Sequence, residues 1–139
     1  MHNSHEVPLN LHIEANGSLV VFEEGSSPFP LRRTFVVTAD VGQVRGHHAH
    51  RTCSQLLAVL RGQVLVSVDD GNDTQDFLLS KLEQGLLIPP MNWATQKYMS
   101  EGTILMVACD QLFDEKDYIR DYAEFAFTLQ SMKGGNSPS

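Results

Sequence analysis

The sequence predicts an all-β domain, a small β-barrel or jelly roll closed by one C-terminal helix. Three observations predict it. Short β-rich runs recur along the chain with turn residues between them. Only residues 117–132 place apolar side chains at helical spacing. A chain of 139 residues, 42% of them apolar, can bury one core and is short for two.

The runs follow in order. Leu9 to Ile13 is a short N-terminal strand segment, and Leu19 to Glu23 is β-rich after the turn Asn16-Gly17-Ser18. Leu31 to Thr38 is rich in Val, Phe and Thr. Gln55 to Leu60 and Gln63 to Val68 form a pair joined at Arg61-Gly62. Asp69 to Thr74 (DDGNDT) is a hairpin turn by composition, because Asp-Gly and Asn-Asp tolerate positive φ. Four acidic residues lie in Asp69 to Asp76, but a calcium loop would need a terminal bidentate Glu that is missing. Asp76 to Leu79 follows as a strand, Gly85 to Ile88 is ended by Pro89-Pro90, and Thr103 to Cys109 is the last run. Asp117 to Met132 reads as the helix. Tyr118, Tyr122, Phe125 and Leu129 share one face, with Asp114, Glu115 and Asp117 near the start, where the helix dipole favours negative charge. Residues 1–133 are expected to form the single domain and residues 134–139, all Gly, Asn, Ser or Pro, a frayed tail.

Charge and composition exclude several classes of function. The net charge is −7 at pH 7 with no Lys/Arg run, which argues against nucleic-acid and membrane-surface partners. Six histidines would bring it to about −1 if all were protonated. No apolar stretch reaches the roughly 20 residues of a membrane span. Met1 to Pro8 lacks the basic-then-apolar order of a signal peptide. Cys53 and Cys109 fall in expected strands, have no metal spacing and read as reduced and buried. These features point to the cytoplasm.

Chemistry concentrates in Arg45-Gly46-His47-His48-Ala49-His50-Arg51, where three of the six histidines fall within four positions. In a strand His48 and His50 share a face and His47 points the other way, unless the strand bulges there. His2, His5 and His12 form no pattern. Two imidazoles on one face can divide a proton transfer, since they titrate near neutral pH. A transition metal would want three or four ligands; here two histidines remain, and Gln55 offers only an amide oxygen. No metal and no cofactor is expected.

The spacing Gly42, His48-Ala49-His50, Gln55, Gly62 resembles the first motif of the cupin superfamily of small jelly-roll barrels. In metal-binding cupins a Glu stands at the Gln55 position, and a second motif adds a His where this chain has Ala94 and Thr95. More specifically, the chain resembles the dTDP-sugar 3,4-ketoisomerases, the WxcM-like cupins, from about Gly17 to Phe125. The matching residues are Gly17-Ser18-Leu19-Val20, Pro28-Phe29, Arg33, Arg45-Gly46 with His48-Ala49-His50, and Gln55. Beyond them match Asp69-Asp70-Gly71, Gly85-Leu86 with Pro90 and Trp93, and Asp114 to Tyr122 (DEKDYIRDY).

The resemblance implies a metal-independent homodimer, often with exchanged N-terminal strands, acting on a dTDP-linked 4-keto-6-deoxy sugar. It implies His48 as the base that moves the carbonyl from C4 to C3, with His50 assisting the proton relay. Arg120 is expected near the nucleotide, and Arg33, Arg45 and Gln55 in or beside the pocket. Trp93 is a candidate for the pocket mouth. A dianionic ligand on an acidic protein demands that Arg33, Arg45 and Arg120 converge. Where the family usually has a Tyr pair this chain has Phe35 and Val36, and Ala94 replaces a His common after Trp93. His47, Phe35 and Tyr98 are therefore auxiliary candidates, with His47 or Tyr98 able to replace a lost proton donor. The alternatives are a cupin that binds a sugar nucleotide without turnover, and a metal-dependent cupin enzyme.

Overall fold

Two antiparallel sheets face each other, and inward side chains of their central strands fill the space between them. The computed structural model describes residues 3–135. The first sheet runs, in spatial order, β1 (His5–Pro8), β9 (Gln84–Ile88), β6 (Gln55–Arg61), β11 (Ile104–Cys109) and β4 (Arg33–Thr38). The second runs β12 (Tyr118–Ile119), β5 (Val44–His50), β10 (Trp93–Tyr98), β7 (Val64–Asp69) and β8 (Thr74–Leu79). β2 (Asn10–Glu14) and β3 (Gly17–Val21) pair with each other as a separate two-stranded sheet. A 3-10 turn (Glu115–Asp117) precedes β12, and α1 (Tyr122–Gly135) ends the described chain. This is a cupin-type jelly roll, as expected.

Alternation explains the core. In β7 Val64, Val66 and Val68 are buried while their neighbours are half-buried, the period-2 pattern of a strand with one face on the core. They meet Leu57, Val59, Leu79, Leu86, Ile88, Leu105 and Val107 in one cluster between the sheets. A second, smaller cluster forms outside the second sheet, where Ala49, Ile119 and Phe125 are buried with Met91, Trp93 and Leu129 packed on them. The DDGNDT hairpin forms as expected: Asp70 Oδ1 accepts from the Asn72 and Asp73 amides at 2.9 Å each, and Gly71 adopts φ +97°.

β5 carries a bulge. Ala94 pairs with His48 but Thr95 pairs with Gly46, so His47 is the extra residue, at φ +56°. Gly46 is required there. Its φ is +96°, and an added Cβ would lie 2.8 Å from the Ala94 carbonyl oxygen and 2.8 Å from Gln96 Oε1.

Four expectations are corrected. The helix starts at Tyr122 rather than Asp117, because Tyr118 and Ile119 pair with His50 and Ala49 as β12. Asp114, Glu115 and Asp117 thus belong to the 3-10 turn and its cap; Asp114 accepts from the Lys116 amide at 3.0 Å. Cys53 lies in the β5–β6 connection, not in a strand, although both cysteines are free and buried. The helix ends at Gly135 rather than Met132; residues 136–139 of the expected tail lie outside the described residues. β1 and β10 form where no strand is predicted, since HEVP and WATQKY lack a β-branched run. No described helix is long and apolar enough to cross a membrane.

Candidate active site

The bulge decides what shares the inner face. Arg45 and His48 would alternate on a regular strand; the added residue brings both to the cavity between the sheets, while His47 is exposed outside it. That cavity has a volume of about 100 Å³. β10 contributes Gln96 and Tyr98 to its wall, β4 Phe35 and β6 Gln55, with Leu57, Leu105 and Val107 as apolar lining. Gln55 is buried and its Nε2 donates to Cys109 Sγ at 3.7 Å.

His48 and His50 do share a face. Their rings meet edge to face with centroids 5.0 Å apart, and Tyr118 tilts against both, at 5.1 Å and 4.4 Å. His48 stands in the cavity wall; His50 is buried beside it. His50 Nδ1 lies 2.8 Å from Asp117 Oδ2, both side chains being buried. The other carboxylate oxygen, Oδ1, accepts from the Thr52 amide at 2.7 Å and from Thr52 Oγ1 at 2.9 Å. Three polar atoms of the site have no partner among the described residues: His48 Nδ1, His50 Nε2 and Tyr98 Oη. Unpaired buried polar groups cost free energy, so a cluster of them marks a place for a ligand or water.

The electrostatics follow from burial. Burial first, and then the neighbouring His50, push His48 down to about 4, so it is neutral at pH 7. Burial also lowers His50, opposed by its hydrogen bond and charge pairing with Asp117. For Asp117, burial acts upward but the His50 and Thr52 donors outweigh it, and the carboxyl stays below its ordinary value. Burial raises Tyr98, with Arg45 acting against it.

The arginines converge in part. Arg33 Nη1 donates to Tyr118 Oη at 3.4 Å, with its guanidinium 4.5 Å from the Phe35 ring centre and 5.1 Å from that of Phe113. Arg120 stacks on the same tyrosine at 4.3 Å and is held by Glu115 through bonds of 2.7 and 3.0 Å. Arg45 enters from the cavity wall instead.

Trp93 is the residue expected at the pocket mouth. It occupies the opposite face of β10 from Gln96 and Tyr98, against Tyr122 (5.4 Å) and Phe125 (5.9 Å) of α1. Tyr118, expected on a helix face, belongs to the site. Asp117 was missed as a site residue because a carboxylate near a helix start has a sufficient explanation in the dipole.

As for metal ligands, His50, Cys53 and Asp117 place one donor atom each within 4.8 Å of one another. Both Asp117 oxygens are already occupied by the His50 and Thr52 donors, and the Cys53 thiol donates to the Ser54 carbonyl at 3.3 Å. That donor set serves the histidine better than an ion.

The fold is thus a jelly roll of the cupin type, with a neutral histidine in the wall of its cavity and a second histidine, backed by a carboxylate, beside it. The chain belongs to the family described as FdtA: WxcM-like, C-terminal, which it matches over residues 2–130. It is 36% identical over 115 residues to the TDP-4-oxo-6-deoxy-α-D-glucose 3,4-oxoisomerase of Aneurinibacillus thermoaerophilus, covering 81% of this chain and 83% of that one. It is similar in structure to a 3,4-ketoisomerase from Helicobacter canadensis, with TM-score 0.89 and 26% identity over 94% of this chain and 99% of that one. It is also similar to a histidine-to-asparagine mutant of the 3,4-ketoisomerase QdtA from Thermoanaerobacterium thermosaccharolyticum, in complex with TDP-4-keto-6-deoxyglucose. There the TM-score is 0.89 and the identity 25%, over 94% and 96% of the two chains.

Proposed function

We propose that this protein is a sugar-nucleotide 3,4-ketoisomerase that moves the carbonyl of a dTDP-4-keto-6-deoxyhexose from C4 to C3, with His48 as base. The observation that carries the mechanism is the neutral, half-buried His48 in the wall of a largely apolar cavity, with His50 edge-on beside it. The substrate class rests on the 36% identical oxoisomerase and on the similar ketoisomerase structures.

The chemistry needs two proton movements at carbon and two at oxygen. His48 takes the C3 proton, and the electron pair of that C–H bond forms the C3–C4 double bond as the C4 carbonyl oxygen becomes an oxyanion. That oxygen takes a proton. The O3–H proton then leaves, C4 is protonated, and the ketone stands at C3. The oxyanion needs donors. Arg45 and the unpartnered Tyr98 hydroxyl line the same cavity and supply them. Tyr98 thereby takes the donor role that Phe35 cannot fill, and exposed His47 does not. Arg33 and Arg120, gathered on Tyr118, receive the diphosphate.

The protein acts as a cytoplasmic homodimer with exchanged N-terminal strands. In support, β2 and β3 pair only with each other among the described residues, and Ile13 and Leu19 on them are 80% and 45% exposed. Such a two-stranded sheet is marginal alone, and a partner copy would cover it.

The test is proton NMR of dTDP-4-keto-6-deoxyglucose incubated with the protein. A 3-keto product is expected, and its C4–H coupling reports the configuration. Unchanged substrate with line broadening would make this a binding protein instead. Gel filtration at about twice the 15.5 kDa chain mass is expected; a particle of one chain mass would remove the dimer.

A further inference from the structure

We propose that Asp117 is the positioning residue of this reaction, holding His50 in the tautomer that keeps Nε2 free as a proton acceptor. The inference rests on the ketoisomerase reading and deepens it: it assigns how the second histidine is prepared for its part in the relay.

The geometry leaves one arrangement. An ionised carboxylate only accepts, so the 2.8 Å contact requires the hydrogen on His50 Nδ1. A neutral imidazole then bears its lone pair on Nε2, which is buried without a partner among the described residues. Asp117 cannot turn away. The Thr52 amide and hydroxyl hold Oδ1, and its own backbone is pinned, with the Arg51 amide donating to the Asp117 carbonyl at 2.9 Å and the Asp117 amide donating to the Asp114 carbonyl at 3.0 Å. Packing fixes the imidazole as well, through Tyr118 at 4.4 Å and the His48 edge. The groups around His50 that bear on its charge are Asp117, Arg33, Arg120 and His48. Asp117 is the one anion of these four, so it offsets the positive charge His50 acquires when a proton arrives. Glu115 reaches His48 through its charge alone, with no carboxylate hydrogen-bonded to that ring among the described residues, and this asymmetry separates the two roles.

Asp117→Asn tests this sharply. The Thr52 amide can only donate, so the carbonyl of the substituted amide stays on Thr52 and its NH₂ turns to His50. That NH₂ donates to Nδ1 and drives the imidazole hydrogen to Nε2. The experiment is nitrogen-15 NMR of the full-length, histidine-labelled protein, with kinetics on the same samples. The wild type is expected to show His50 protonated at Nδ1, and Asp117→Asn at Nε2, with kcat lowered roughly 10²-fold or more and KM little changed. A wild-type His50 protonated at Nε2 overturns the proposal, and that measurement does not depend on the variant folding. A folded Asp117→Asn with the tautomer reversed and kcat unchanged overturns it too. Absence of turnover by the wild type would instead sink the ketoisomerase reading, whatever the tautomer.

Discussion

The two faces of the β5–β10 strand pair carry opposite kinds of side chain on one backbone. Facing the cavity, Arg45, His48, Gln96 and Tyr98 gather, and two of their polar atoms, His48 Nδ1 and Tyr98 Oη, go unpaired among the described residues. On the reverse face Ala49 and Trp93 pack with Ile119, Phe125 and Leu129 into an apolar cluster beneath α1. The outer face gains stability from burial, at roughly 25 cal/mol per Å² of apolar surface. The inner face gives some of that stability up, each unpaired group costing about 1–3 kcal/mol. The helix thus secures from behind the strands that hold the cavity's polar groups. What assigns a residue to one face or the other is parity along the strand, reset once by the bulge at His47.

The comparison can be broken most severely at its chemical centre. His48→Asn should lower turnover by roughly 10²- to 10⁴-fold while leaving the melting temperature near the wild-type value. The same histidine sets an acid limb. Its pKa in the fold, about 4, lies below the ordinary value of 6.5, so the unfolded chain binds its proton first. The stability it contributes is therefore present above pH 6.5 and is lost as pH falls through 4. The matching expectation is a kcat/KM that holds between about pH 7 and pH 5 and declines only as the pH approaches 4. A decline centred on 6.5 would mean that His48 is not held neutral by burial.

On the outer face Phe125→Ala should cost about 3–5 kcal/mol of stability, read by chemical denaturation, with kcat per folded molecule near that of the wild type. Gly46→Ala strikes the point where the faces are set. Its Cβ meets backbone at 2.8 Å in a positive-φ position, and a loss of about 1–3 kcal/mol together with a fall in kcat is expected as the bulge shifts His48. Tyr98→Phe removes an unpartnered hydroxyl. A kcat lowered about 2- to 10-fold without loss of stability fits a hydroxyl that bonds substrate; lost stability at full activity fits a core role instead. His47→Asn should change neither kcat nor stability beyond about 0.5 kcal/mol, since His47 is exposed and Asn tolerates its φ of +56°.

Local signals were legible in the sequence. Val64, Val66 and Val68 announce a core strand, DDGNDT a hairpin, and the i, i+2 spacing of His48 and His50 a common face. Where two explanations fit the same residues, the sequence could not choose. Tyr118 stands four residues before Tyr122, which suits a helix, yet its pairing partner is His50. The Asp117–His50 bond spans 67 residues, and no local pattern encodes it. Trp93 and Tyr98 lie on one strand, but only the register of β10 against β5 and β7 sends one outward and the other inward. The bulge was legible only as a condition: Gly46 permits it, and the close approach of Ala94 and Gln96 explains why a glycine is needed there.

The most direct test of the central claim is deuterium wash-in from D₂O into dTDP-4-keto-6-deoxyglucose, followed by NMR for the wild type and His48→Asn side by side. Deuterium at C3 of recovered substrate and at C4 of a 3-keto product, both lost in the variant, is the predicted result. Isomerisation that persists in His48→Asn, or deuterium entering at equal rates with both proteins, would contradict a proton transfer carried by the inner face of this sheet.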